Sequence, residues 1–171
     1  MGLCDFKCQG RNSVSVCTWS QWLDPHRSVS KRVNCMAVGG SYLFIGLSGG
    51  LEVYTLADHD WISGWEANKV EVCTLTVCPV QDQVYFLGTV DDMGIARLFY
   101  FSDENLSFLK TFNEPEDASK RTNCVMFQLS QGGGYAGILL EGGHSRQHIP
   151  QHFTIKRGHV QTINSVQVKT I

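Results

Sequence analysis

The chain has 171 residues, enough to bury a sizeable core as one domain or as a piece of a larger one. Its 14 basic and 16 acidic side chains leave a net charge of -2, so nothing electrostatic points to nucleic acid or an anionic membrane as the main partner. No stretch approaches the roughly 18 apolar residues of a membrane-spanning helix, so membrane insertion is not expected.

Residues 1–30 read as an N-terminal segment of their own. It lacks a long apolar run followed by a small-residue cleavage site, so secretion is not indicated. Gly2 invites a myristoylation reading, but Phe6 stands where that pattern takes Ser or Thr. Inside the segment, Ser13-Val14-Ser15-Val16-Cys17-Thr18-Trp19 predicts a strand. Seven cysteines (Cys4, Cys8, Cys17, Cys35, Cys73, Cys78, Cys124) without a secretory signal predict reduced thiols in a cytoplasmic or cytoskeletal compartment. Several of them would act as small core residues.

From residue 31 onward one pattern recurs. Val33-Asn34-Cys35-Met36-Ala37-Val38, Val72-Cys73-Thr74-Leu75-Thr76-Val77, Thr122-Asn123-Cys124-Val125-Met126-Phe127 and Ile163-Asn164-Ser165-Val166-Gln167-Val168 each begin on a β-branched residue. Each places a small residue third (Cys35, Thr74, Cys124, Ser165) and apolar residues fourth and sixth. The spacings bracket the roughly 40 to 45 residue period of four-stranded propeller blades.

After the first repeat, Tyr42-Leu43-Phe44-Ile45-Gly46 and Leu51-Glu52-Val53-Tyr54 predict a second and a third strand, joined through Ser48-Gly49-Gly50. In the second unit, Val84 to Gly88 and Ile95 to Phe101 flank a turn at Asp91-Asp92-Met93-Gly94. In the third, Tyr135 to Leu140 leads into Glu141-Gly142-Gly143, and the polar stretch His144 to Ile149 fills the third strand's place. Outermost strands are predicted at Trp61 to Trp65, Leu106 to Phe112 and Phe153 to Lys156. The fold class is therefore all-β. Residues 31–171 read as a partial β-propeller with blades at about 33–69, 72–118 and 122–157, and the first strand of a next blade at 162–171.

Gly158-His159 followed by Thr162 to Val168 resembles the opening of a blade in the WD-repeat family, and Gly39 to Tyr54 looks like that family's second and third strands. The resemblance covers roughly residues 33 to 171. It implies about three four-stranded antiparallel blades plus the first strand of a fourth, with Gly158, His159, Gly49, Gly50, Cys35, Thr74, Cys124 and Ser165 in WD-repeat-like structural places. No strand ends in Trp-Asp, and Gly-His occurs once, so the repeats are degenerate. His159 has no visible Asp partner for the hydrogen-bonded network of complete repeats. As a whole, the chain is similar to the degenerate WD-repeat proteins of the ciliary axoneme. That likeness implies a structural subunit of a large cytoskeletal assembly, working by protein–protein contact. Three blades cannot close a ring, so the chain is expected to be a portion of a longer protein or to be completed by a partner. The strand at Ser13 to Trp19 could serve another blade as its outer strand.

The residues that could carry chemistry weigh toward structure, so no cofactor, metal or small-molecule substrate is expected. Cys4 and Cys8 lack a second ligand pair. His144, His148 and His152 would align on a helix, but Pro150 interrupts it, and they read as loop residues. Cys35 and Cys124 fall at the small position of repeated strands instead of beside a base. Asp58-His59-Asp60-Trp61 reads as a loop, and no phosphate-binding glycine motif follows a strand. Trp19, Trp22, Trp61 and Trp65 are candidate interface anchors, although such residues more often pack against neighbouring strands. The reading is a non-catalytic scaffold; the alternative is a cysteine/histidine-dependent metal or redox protein.

Overall fold

Runs of β-branched and aromatic residues, broken by Gly and Asp turns, form three antiparallel sheets in the computed structural model, which describes residues 31–113, 122–142, 148–156 and 159–163. The first sheet is β1 (Val33–Gly39), β2 (Tyr42–Leu47), β3 (Gly50–Thr55) and β4 (Trp61–Glu66), paired in chain order. The second is β5 (Val72–Gln81), β6 (Val84–Asp91), β7 (Ala96–Ser102) and β8 (Asn105–Thr111), also in chain order. The third is β9 (Thr122–Leu129), β10 (Tyr135–Gly142), β11 (His148–Lys156) and β12 (His159–Ile163). A 3-10 turn, Gln131–Gly133, joins β9 to β10. The expected strand at Ser13 to Trp19, the turn residue Gly143, and His144, Gly158 and Ser165 lie outside the described residues.

Neighbouring sheets pack face to face. On β6, alternate residues serve opposite faces, as the strand period of two requires. Tyr85 and Leu87 join Tyr42, Phe44, Leu51, Val53, Phe99, Phe101 and Leu106 in the core between the first and second sheets. Phe86 and Val90 join Ala96, Leu98, Cys124, Phe127, Ala136, Ile138, Leu140 and Ile155 between the second and third. Each fully buried aromatic side chain contributes about 1.5–3 kcal/mol. A β-sheet buried on both faces leaves little alternation of polarity along its strands, and β2 is buried throughout.

Close approach is set by glycine. A Cβ on Gly46 of β2 would stand 2.7 Å from Val72 Cγ1 of β5, and one on Gly88 of β6 would stand 2.6 Å from Phe127 Cε1 of β9. The inner strand of each sheet thus seats against a bare backbone stretch of the sheet before it. Four-stranded antiparallel sheets stacked in this way, with inner strands β1, β5 and β9 side by side, are blades of a partial propeller.

The third blade differs from the sequence expectation in its outer half. Its third strand is His148–Lys156, not His144 to Ile149, and it absorbs the stretch Phe153 to Lys156 that was expected as the fourth. The fourth is His159–Ile163, so His159, Thr162 and Ile163 close this blade instead of opening the next. Lys156 pairs with His159 across only two residues, and a hairpin so tight returns the chain to the same sheet. Residues 164–171, the rest of the expected fourth-blade strand, lie outside the described residues. Polar composition and Pro150 conceal β11 in the sequence. Pro150 is tolerated because β12 pairs only with His152–Lys156, leaving that edge of β11 without a ladder partner at Pro150 among the described residues.

Candidate protein-interaction site

Strand alternation sends the turns β2–β3 and β6–β7 and the crossover from β4 to β5 to one end of the blades. The turns β1–β2, β3–β4, β5–β6 and β7–β8 go to the other end. Loops carried at the ends of rigid strands are where a scaffold of this kind presents its side chains.

The crossover end is a mixed-charge surface that ties the first blade to the second. Arg32 Nη2 donates to Glu71 Oε2 in the crossover, while its Nε donates to Asn34 Oδ1 at 3.0 Å. Lys31 Nζ donates to Glu66 Oε1 at 3.1 Å and lies 3.9 Å from Glu52 Oε1. Glu52 also accepts from the Tyr54 hydroxyl at 2.7 Å. The Glu71 backbone N–H donates to Asp92 Oδ1 at 3.2 Å. The Arg32–Glu71 pair is exposed and contributes about 0–1 kcal/mol, so it arranges the surface more than it stabilises the fold.

Beneath this surface lies a buried network built on the β6–β7 turn. Asp91 Oδ1 accepts from the N–H of Met93 at 3.0 Å and of Ile95 at 2.8 Å, closing the turn that Gly94, at φ +70°, allows. Asp91 Oδ2 accepts from Arg97 Nη1 at 2.5 Å. The Arg97 guanidinium in turn lies 5.5 Å from the ring centroid of Trp65 on the first blade. Toward the third blade, the Gly94 carbonyl accepts from the N–H of Cys124 at 2.7 Å and from Asn113 Nδ2 at 2.8 Å. Asn113 Oδ1 accepts from the Ala96 N–H at 2.8 Å. This network joins all three blades, and its members Asp91, Arg97 and Asn113 were not singled out by sequence reasoning. The signal was an Asp in a tight turn after a buried strand, with an Arg six residues on.

The structural residues expected from the repeat divide. Gly50 adopts φ +128° where β3 begins, directly after Gly49 in the β2–β3 turn. Cys124 is buried and Cys35 half-buried, whereas Thr74 is exposed. The third position is thus not uniformly inward, and β-bulges between Val33 and Cys35 and between Val72 and Thr74 shift the register just before it in both blades. His148 and His152 lie on a strand and not in a loop. His59 adopts φ +64° in the turn before β4, and Trp65 lies partly buried between the first two blades, while Trp61 is exposed. Cys4, Cys8, Trp19 and Trp22 lie outside the described residues.

The thiols work as hydrogen-bond donors between blades. Cys35 Sγ donates to Val72 O at 3.5 Å, from the first blade to the second, and Cys78 Sγ donates to Ser130 O at 3.0 Å, from the second to the third. Burial pushes the Cys35 thiol up to about 11, and burial raises Cys124 as well. Cys73 is raised by partial desolvation and by the carboxylates of Asp92 and Glu71. These environments favour the neutral thiol, the opposite of what a nucleophile or a metal ligand needs.

The end formed by the β1–β2, β3–β4, β5–β6 and β7–β8 turns is acidic. Asp58, Asp60, Asp82, Asp103 and Glu104 are exposed there, and the described turns of the first two blades at this end hold no Lys or Arg. Their field reaches inward: the Tyr42 hydroxyl is raised by desolvation, with Glu104 and Asp82 adding to the shift.

Residues 33–148, more than half of the chain, match the family described as WD repeat-containing protein 93. The chain belongs to that family. Solved structures that resemble this WD-repeat chain include the β-propeller domain of Swd1 from Myceliophteria thermophila, at 16% identity and TM-score 0.57 over 81% of this chain and 42% of that one. A periplasmic gluconolactonase from Pseudomonas aeruginosa matches at 18% identity and TM-score 0.57 over 84% of this chain and 43% of that one. Hsv2 from Kluyveromyces lactis matches at 10% identity and TM-score 0.55 over 79% and 47%. At these identities the likeness establishes the propeller fold alone. The chain spans less than half the length of each of these structures. No helix among the described residues is long and apolar enough to cross a membrane.

Proposed function

We propose that this WD-repeat chain is a non-catalytic protein–protein interaction scaffold, a structural subunit of a large cytoskeletal assembly in the cytoplasm, and specifically of the ciliary axoneme. The observation that carries the reading is the use made of the reactive side chains. Arg97, Cys35 and Cys78 join blade to blade, and Asp91 and Asn113 lock the turn of the second blade that carries Arg97, so the chemistry is committed to rigidity, while unlike charge is displayed at the two ends. A rigid core with differently charged ends suits simultaneous contact with more than one protein. The third blade adds an apolar contribution. Met126 and Tyr135, the latter 59% exposed, lie on its far side, since the residues that follow them in the chain, Phe127 and Ala136, face the second blade. The raised thiols of Cys35 and Cys124 support this reading over a metal or redox protein.

The test is chemical cross-linking with mass spectrometry on the tagged protein in isolated ciliary axonemes. The expected result is recovery with the axoneme and cross-links from the end loops to other proteins. A diffuse cytosolic protein without cross-links would overturn the scaffold placement, and a stoichiometric transition metal in the purified chain would overturn the non-catalytic reading.

A further inference from the structure

The outer strands β4 and β8 run side by side at the rim of the first two blades and carry more apolar surface than the core uses. The seam between them is tied by the Leu106 N–H, which donates to Ser63 Oγ at 3.1 Å. Ile62 and Trp65 line it from β4, both only partly buried. From β8 comes Phe108, on the side of the first blade because it pairs with Phe99. Phe108 packs edge-on against Phe99 at 5.6 Å between centroids, yet remains 48% exposed. One edge of the ring completes the core and the rest faces water.

Charge then selects what can lie there. Both strands begin directly after carboxylates: Asp58 and Asp60 precede Trp61, and Asp103 and Glu104 precede Asn105. With Asp82 in the β5–β6 turn, five exposed carboxylates stand at this end of the first two blades, and their described turns there hold no Lys or Arg. An anionic surface such as a phospholipid headgroup layer or a nucleic acid is repelled from it, whereas a cationic polypeptide is attracted.

Resting on the interaction-scaffold reading, we propose that the β4–β8 seam docks an extended segment of a partner polypeptide. An apolar side chain of that segment seats against Phe108 and Trp65, and neighbouring Lys or Arg residues meet Asp58, Asp60, Asp103 and Glu104. The apolar contact supplies residence and the carboxylates supply orientation.

The probe is a short fluorescein-labelled peptide in which Leu and Phe alternate with Lys, titrated by anisotropy into the full chain, with a counterpart that has Glu in place of Lys. Saturable one-to-one binding of the basic peptide and none of the acidic one is expected. Phe108→Asp should weaken binding at least about tenfold, as should Phe108→Ala if the charged variant fails to fold. Asp103→Asn with Glu104→Gln should weaken it about fivefold at low salt, with the difference lost near molar salt. A photoreactive Phe analogue in the peptide should cross-link to residues of β4 and β8. No saturable binding, binding indifferent to Phe108, or cross-links that map elsewhere would each overturn the proposal. Loss of monomeric state in place of peptide binding would show a second copy on the seam and overturn it equally. The scaffold reading fails separately, on the axonemal cross-links, which can land on any other face of the chain.

Discussion

Arg97 bridges two blades through one side chain: its guanidinium stands 5.5 Å from the Trp65 ring of the first blade while Nη1 donates to the buried carboxylate of Asp91 in the second. Asp91 is 5% exposed, so removing the guanidinium strands a charge in the interior. Arg97→Met, which keeps most of the stem packing, should cost about 3–5 kcal/mol in urea unfolding. Adding Asp91→Asn to that variant should recover part of the loss, because the stranded charge is gone while the two turn hydrogen bonds retain an oxygen acceptor. An Arg97→Met protein within about 0.5 kcal/mol of the parent would show that the pair is no lock.

The seat of Phe127 on Gly88 gives a packing prediction. Gly88→Ala should destabilise by about 1–3 kcal/mol, since the new methyl would meet the Phe127 ring at 2.6 Å inside a core that cannot expand. Phe127→Leu in the same chain should recover part of the cost, whereas the two changes would simply add if the contact were unimportant. Double-mutant cycles by denaturant unfolding separate these outcomes.

The first two blades are legible in the sequence because their strands are apolar runs of the right length between Gly and Asp turns; β4 and β8 fall within a residue of the expected outer strands. The third blade is legible through β9 and β10 but not in its outer half. β11 carries His148, Pro150, Gln151 and His152, a composition that reads as loop, and tertiary pairing with Leu139 and Leu140 overrides it. The bulges just before Cys35 and Thr74 leave no trace in a pattern of residue types, because one extra residue shifts register without changing polarity. The locking network was hidden for a different reason. Asp91, Arg97 and Asn113 belong to turns and strand ends that meet only once the second sheet has formed, and their spacing in the chain matches no short motif.

Stability should fall on the alkaline side in a defined window. The Cys35 thiol is held at about 11 in the folded chain against an ordinary value of 9.0. The unfolded chain therefore releases this proton first as pH rises. The stabilisation is complete below pH 9 and is lost as pH climbs toward about 11, with Cys124 adding in the same direction. Urea midpoints measured from pH 8 to 11 should decline, and Cys35→Ser should flatten the decline because serine does not titrate there. An unchanged slope in that variant would remove Cys35 as a cause.

Thr89 offers a stabilising change. Its side chain is 1% exposed, and its hydroxyl oxygen finds no hydrogen-bond partner. The residue stands on β6 opposite Leu75 and Arg97, and the Arg97 guanidinium is already bonded to Asp91. An unsatisfied buried hydroxyl costs about 1–3 kcal/mol relative to a group with nothing to satisfy. Thr89→Val has nearly the same shape and the same β-branched strand preference, so Thr89→Val should raise stability by about that amount. Serine at the same position should do the reverse, since it keeps the hydroxyl and loses the methyl. If valine instead lowers the urea midpoint, the hydroxyl must be bonded in solution, most simply to an ordered water between the first two blades, and the seam there is wetter than its burial suggests.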